Sequence, residues 1–489
     1  MDREEGGEAF LITTFIIYLI IVFVIGVAAE RFISKSEEGY YLGDRSFGPV
    51  ATAISAGSTD TSGWIFIGAA GYSYSAGIST MWMLPGFIVG YLLNWFIVAP
   101  RLRKATEENN SLSLADYFEK RFNDKSHLLK VTTSIIIVLF FVAYMASQLT
   151  AAGKALDAIV SLDFSLGLIL CAAFVIGYAI FGGYRSVVWT DVVQGFIMIG
   201  VLVLFPAYMI VQLGGWNQFF QQIGSIDPIL LSSGGGSTGA AAFGVIMGLV
   251  VFGLGGPGQP HIVQRFLSAK DDQTIRQGSM IAMIWVIIVM TGSNLLGLIG
   301  RIVIPNLDDA EYVFPQMTAE LMPPILAGIV LGAIFAAIQS TFSSQVMVAT
   351  QAIASDILKS FKKKQLTDSQ YLMISRLTMV GLGIVATSIA LLNIEAVFTL
   401  VLYAWAGLAA AFGPLLILSL YYENVTKWGA FTGMLTGAVV TIVWKNTPYS
   451  AYLYELIPGA LASIAAILII SKFTKVNLKL SKEEFKNVN

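Results

Sequence analysis

What most limits the fold of this chain is a succession of apolar runs, each about 20 residues long and bounded by charge or by clusters of Gly, Pro and Asn. About 20 helical residues cover a hydrocarbon layer of roughly 30 Å. Backbone polar groups in such a layer find no water, so runs of this kind predict helices. Composition agrees: 56% of the 489 residues are apolar and 12% are charged, against about 25% charged in an ordinary soluble domain. The expected fold class is an all-α, multi-pass membrane protein.

Several function classes drop out. One cysteine, Cys171, and two histidines, His127 and His261, leave no disulfide framework and no Cys/His metal cluster. A net charge of −2 leaves no basic surface of the kind that binds nucleic acid. The first run follows an acidic start and lacks the basic region and small-residue cleavage site of a signal peptide, so it is expected to stay as a membrane helix.

Thirteen spans are expected, near residues 9–30, 48–73, 80–100, 131–154, 165–182, 187–213, 241–264, 278–301, 325–358, 373–393, 396–421, 428–444 and 452–471. With the N-terminus outside, 25 of the 29 Lys and Arg residues fall in inner segments, Arg265 among them; Arg3, Lys154, Arg301 and Lys445 are the exceptions. Each span reverses the side of the next loop, so this bias supports the whole series with the C-terminus inside.

Two spans carry interruptions. The second reads SAGSTDTSGW over 55–64 and sets Asp60 among hydroxyls and glycines; a carboxylate there must face a cavity, a cation or the protein interior. The seventh reads GLGGPGQP over 253–260, four glycines and two prolines in eight positions, which no continuous α-helix tolerates. Gly253, Gly255 and Gly258 match G-x-G-x-x-G, but no strand precedes them and the dinucleotide reading fails.

The interruptions lie five spans apart, an odd number, so spans 2–6 and 7–11 have opposite orientations. Paired breaks in two inverted halves point to a transporter's central binding site. The expected organisation is residues 1–47 for the first helix and inner loop, 48–213 for the first repeat, and 214–240 for a flexible outer connector. Residues 241–421 form the second repeat, and 422–489 the last two helices and tail.

The ninth span contains AAIQSTFSSQ over 336–345. Ala337, Ser340 and Thr341 share one helix face, and Ser340, Ser343 and Ser344 an adjoining one. Clustered neutral oxygens suit a small hard cation such as Na⁺; the competing reading is hydroxyls bonded back to their own helix or packed on a neighbour. Asp191, in WTDVVQG, reads either as a functional carboxylate or as a cap at a helix N-terminus.

These motifs, with YYLGDRSFGP (40–49), GQPHIVQRF (258–266) and YAWAGLAAAFGP (403–414), resemble the sodium/solute symporter family, and within it the bacterial sodium/proline symporters. The resemblance implies a LeuT-like 5+5 inverted repeat with one leading and two trailing helices, in a bacterial cytoplasmic membrane. It implies a sodium site at Ser58, Thr61, Ala337, Ser340 and Thr341, with Asp60 linked to sodium dependence. It places Ser62, Gly63, Trp64 and Tyr144 in a solute pocket with Phe252, Gly256 and Pro260. Asp191, Ser343 and Ser344 match a second sodium site of the family's sialic acid transporters. Phe252 and Gly256 stand where proline symporters usually carry Trp and Tyr, so the pocket is expected to be larger and poorer in donors.

The expected function is sodium-coupled import of a small zwitterion, L-proline first, with another amino acid or an organic acid such as sialic acid as the alternative. No P-loop supports a pump and His261 by itself makes no enzyme; a channel, which needs no paired breaks, and a solute sensor are the lesser alternatives. Lys362 to Lys364 read as a cytoplasmic retention signal.

Overall fold

The computed structural model describes residues 2–32, 34, 36–361, 367–392 and 395–474; Lys362 to Lys364 lie outside them. The described chain is helical, and its one β-type pairing joins Phe47 to Ala269. In chain order the helices are α1 (Asp2–Ala28), α2 (Pro49–Gly63), α3 (Ala70–Ala76), α4 (Met83–Leu92), α5 (Ala99–Glu108), α6 (Leu114–Arg121), α7 (Leu128–Val160) and α8 (Phe164–Gln212). After α9 (Gly239–Gly253) and α10 (Pro260–Leu267) come α11 (Asp272–Val303), α12 (Pro324–Gln351), α13 (Asp368–Leu391), α14 (Val397–Tyr421), α15 (Lys427–Lys445) and α16 (Leu456–Phe473).

Ten helical stretches among the described residues are long and apolar enough to cross a membrane by themselves. One of them, 49–108, takes in the second and third expected spans, and the chain turns within it at Gly77 (φ 69°). The expected spans outside the ten are 241–264, which is split into α9 and α10, and 428–444, which is α15. Helix length and hydropathy therefore do not establish thirteen crossings.

Local chemistry sets the helix ends. Pro49, Pro260 and Pro324 occupy first-turn positions, where a missing N–H costs nothing. Side chains of Ser113, Asp163, Asp271 and Thr426 accept first-turn N–H groups, and Thr367 with Gln370 forms a capping box. Gly183 (φ 51°) bends α8 between the fifth and sixth expected spans.

Both expected interruptions are present. After α2 the backbone at Ser62 turns to φ 38°, ψ 171°, and a π-helical segment, Trp64–Ala69, follows. After α9 come a 3₁₀ turn, Gly256–Gly258, and extended Gln259. The breaks lie near the central helix α12, which packs on α1, α2, α7 and α8; 83% of its most apolar window is buried, against 28% for the first span.

The connector 214–240 departs from the expected flexible linker. Its Trp216–Ile226 segment is a helix whose Phe219 and Ile223, four residues apart, are buried. The following turn, Pro228–Leu231, comes so close to Gly77 that a methyl group there would lie 2.2 Å from the Leu230 carbonyl oxygen.

Candidate functional site

The site begins where α2 loses its ladder of hydrogen bonds. The Gly63 N–H donates to Gln148 Oε1 of α7 at 2.8 Å, and the Trp64 N–H to Ser62 Oγ at 3.3 Å. Side chains thus satisfy amides that the break would otherwise orphan.

On the α12 side of that break, Ser340 Oγ donates to the Ser58 carbonyl at 2.9 Å and to the Ala337 carbonyl at 3.1 Å. Thr341 Oγ1 donates to the Thr59 carbonyl at 2.7 Å. Four of the five residues expected to hold sodium, Ser58, Ala337, Ser340 and Thr341, therefore meet at one buried seam. Thr61 belongs to the same helix, but its hydroxyl donates back to the Gly57 carbonyl and accepts from Trp285 Nε1 of α11 at 3.0 Å. These are neutral oxygens in a buried seam, a donor set that fits a small hard cation carried as co-substrate.

Asp60 is turned elsewhere. Tyr91 of α4 donates to its Oδ2 at 2.7 Å, and its Oδ1, also buried, has no partner.

The Asp191 cluster is built differently from the expectation. Asp191 lies two turns beyond the Gly183 bend, inside α8 rather than at its start, so the capping reading fails. It forms an ion pair with Arg265 (2.8 Å), both side chains fully buried. The same guanidinium donates to Ser55 Oγ, the His261 carbonyl and Ser344 Oγ at 3.0, 2.7 and 2.5 Å. Arg265, which the sequence groups with the inner-loop cations, is instead a last-turn residue of α10, buried among α2, α8 and α12. Ser343 does not join this cluster through its hydroxyl, which donates to the Ser340 carbonyl at 3.2 Å.

The expected solute-pocket residues surround the two breaks. Trp64 packs on Phe252, ring centroids 5.2 Å apart, and Phe252 on Phe87 and Trp405 at 5.2 and 5.6 Å. Tyr144 and Phe141 of α7 hold the His261 ring edge-on at 5.9 and 5.2 Å. Gly256 is pressed against α4's continuation: a methyl group there would lie 2.8 Å from Asn94 Nδ2. A methyl on Gly255 would lie 2.2 Å from Trp405 Nε1, so this segment requires glycine for close approach. Pro260 opens α10, following Gln259, whose amide donates to the Trp405 carbonyl at 3.0 Å.

Residues 40–437 match the model of the sodium:solute symporter family. This chain belongs to that family. It is 37% identical to the high-affinity proline transporter PutP of Bacillus subtilis, over 91% of this chain and 94% of that one. It is equally identical to the osmoregulated proline transporter OpuE of the same organism, over 96% of each chain. A sodium/proline symporter of Staphylococcus aureus matches at 37% over 94% of this chain and 92% of its own. A substrate-bound, outward-open Na⁺-coupled sialic acid symporter superposes with a TM-score of 0.77 at 20% identity, covering 95% and 98% of the two chains. A closed nucleobase-cation-symport-1 transporter, Mhp1, gives 0.58 at 13%, covering 92% and 98%. The fold is the LeuT-like one that the resemblance implied, and the symporter is a sodium-coupled membrane transporter, not an enzyme.

Arg265, Thr59, Gln148 and Tyr91 also belong to the site, although the sequence does not single them out as functional residues. Arg265 had a signal: it follows His261 by one turn in a segment opened by Pro260, while Asp191 required a buried cation.

Proposed function

We propose that this symporter imports a small zwitterionic solute, L-proline first, together with one sodium ion by alternating access. The observation that carries the reading is the seam of oxygens at Ser58, Ala337, Ser340 and Thr341, directly before the break at Ser62. Sodium held there ties α12 to α2 and orders the broken segment. The solute then binds between the two breaks, its carboxylate toward the start of α10. Phe252 and Gly256 border the same pocket. A second sodium at Asp191, Ser343 and Ser344 requires Arg265 to leave Asp191 and Ser344, which is why one ion is proposed.

The repeats span 48–213 and 241–421, with the N-terminus outside and the C-terminus inside a bacterial cytoplasmic membrane. One sodium ion falling through about 100 mV releases roughly 2.3 kcal/mol, enough to concentrate a solute more than tenfold.

The test is uptake of labelled proline into proteoliposomes under an inward Na⁺ gradient, against a matched K⁺ gradient. Sodium-driven accumulation is expected, with the half-saturating Na⁺ concentration raised about fivefold in Ser340→Ala, the loss of roughly 1 kcal/mol of ligand interaction. Sodium-driven uptake of another amino or organic acid in place of proline moves the substrate assignment. No sodium-driven uptake of any solute overturns the reading.

A further inference from the structure

Toward the end of α7 that carries Lys154, a cavity of about 300 Å³ lies among α7, α13, α14 and the last turn of α15, and Lys445 and Glu395 both line it. The two opposite charges form no ion pair with each other, and neither side chain has a salt bridge or hydrogen bond to any other described residue. They are close all the same: the buried carboxylate of Glu455, at the start of α16, is attracted by Lys445 and repelled by Glu395. An ammonium and a carboxylate that share a cavity without touching leave room between them for a group that carries both charges.

The cavity lies where the bundle meets lipid. One face of α7 turns Ile135 and Leu139, each 54% exposed, toward hydrocarbon, and steps of three and four residues continue that face through Val142 and Ala146 to Thr150 in the cavity wall. Ile389, Leu400 and the Tyr403 ring give the same cavity an apolar side. Trp444, one residue before Lys445, packs on Tyr449 with ring centroids 5.8 Å apart, and paired aromatics of this kind mark the boundary between hydrocarbon and water. A lysine at that level by itself is an ordinary interfacial anchor. What sets Lys445 apart is the unpaired carboxylate that shares its cavity.

We propose that this cavity binds the phosphoethanolamine headgroup of one membrane phospholipid, its phosphate on Lys445, its ammonium on Glu395 and the start of an acyl chain along Ile389, Leu400 and the exposed stripe of α7. The ammonium carries three N–H groups, which a carboxylate accepts as charge-assisted hydrogen bonds. A trimethylated choline headgroup has no N–H to offer, and a glycerol headgroup has no cation. Tyr403 stands two residues before Trp405 of α14, whose Nε1 donates to the Phe252 carbonyl at 2.9 Å beside the second break. The lipid therefore braces an element that borders the solute pocket. The proposal needs only the membrane placement of the chain and is independent of which solute it carries.

The experiment is native mass spectrometry of the delipidated full chain in detergent, titrated separately with dioleoyl phosphatidylethanolamine, phosphatidylcholine and phosphatidylglycerol, for wild type, Glu395→Gln and Lys445→Gln. The wild type is expected to bind its first phosphatidylethanolamine at least tenfold more tightly than either other lipid, as a site built for an N–H rejects an analogue without one. In Glu395→Gln the preference over phosphatidylcholine falls to about twofold, and in Lys445→Gln the first phosphatidylethanolamine binds about fivefold more weakly. A wild type that binds the three lipids alike overturns the proposal without recourse to any variant, and so does a preference that survives both substitutions. The wild-type titration is repeated with saturating L-proline and Na⁺, and the first phosphatidylethanolamine is expected to stay bound. Its displacement by proline in wild type, with no such competition in Glu395→Gln, assigns the cavity to a free zwitterion and overturns the lipid assignment.

Discussion

At the scale of the residue, the arrangement that most shapes this symporter's interior is the Asp191–Arg265 pair. Neither side chain has any access to solvent, and the guanidinium makes four hydrogen bonds, to α2, α8, α12 and its own helix. Removing one member of a buried pair leaves the other charge uncompensated, at a cost of about 3–5 kcal/mol. Arg265→Met is therefore expected to lower the thermal stability of the detergent-solubilised protein sharply, and Asp191→Asn added to it is expected to recover a good part of the loss. Melting curves of the two variants and the wild type decide the matter: a single variant as stable as the wild type contradicts it. The hydroxyls of the ninth span were recognisable on sequence as a group. Which of them face α2 and which face Arg265 was not, because the helix places Ser340 and Ser344 on overlapping faces and only the neighbours tell the two apart.

At the scale of the element, breaks and caps determine how the helices meet. Gly253 shows how close they come: a methyl group on it would lie 2.1 Å from the Phe87 amide nitrogen. The Gly/Pro run at 253–260 was legible because it cannot continue a helix, and the second span was legible from its glycines and hydroxyls, but that its backbone turns at Ser62 itself follows from what surrounds it. Outside the membrane core, Asp124 joins the start of α7 to the start of α15. It accepts from the Leu129 and Ser126 amides at 2.7 and 3.0 Å and pairs with Lys427 at 2.6 Å. Burial pushes the carboxyl up, but Lys427, the Ser126 hydroxyl and these amides outweigh it and bring the group from the ordinary 3.8 down to about 2. A carboxylate lowered by folding stabilises fully above its unfolded value and loses that contribution as pH falls toward its folded one. Exchange of amides 126–131 is expected to be unchanged from pH 7 to about 5 and to accelerate, beyond the intrinsic pH effect, as pH falls below about 4. An Asp124→Asn variant is expected to lack this step, and an identical acid response in both forms would refute the assignment.

At the scale of the whole molecule, the opposite end of α7 from Asp124 is fastened to the bundle by a second charged cluster. Lys154 pairs with Asp309 and Glu311 at 2.6 and 2.7 Å, and Glu311 accepts the Val397 and Phe398 amides that start α14, at 3.0 and 2.9 Å. Phe398 in turn stacks on Tyr72 at 4.8 Å and reaches Trp64 at 6.2 Å, so the cluster holds aromatic side chains over the broken part of the second span. Glu311→Gln removes a charge-assisted bond worth about 1.5–3 kcal/mol and should favour forms in which this end of the bundle has opened. The expected readout is alkylation of a cysteine placed at Tyr72, about tenfold or more faster in the Glu311→Gln background. An unchanged rate would show that the cluster does not hold this end closed.

The sequence by itself determined the solvent this chain lives in, its helical class, the two interrupted spans and the group of hydroxyls in the ninth. Each of these follows from local composition: apolar length, Gly and Pro, or several oxygens within two helical turns. Tertiary structure alone decided the partners. Arg265 reads on sequence as one more inner cation and proves to neutralise Asp191, because α10 begins only after the break and so carries its last turn into the core. Asp60 reads as part of the sodium motif and proves to face α4, because a helix sends residues two positions apart to nearly opposite sides. Residues hundreds of positions apart meet only once the helices have packed, and no local pattern records which charge or carbonyl will stand across from which side chain.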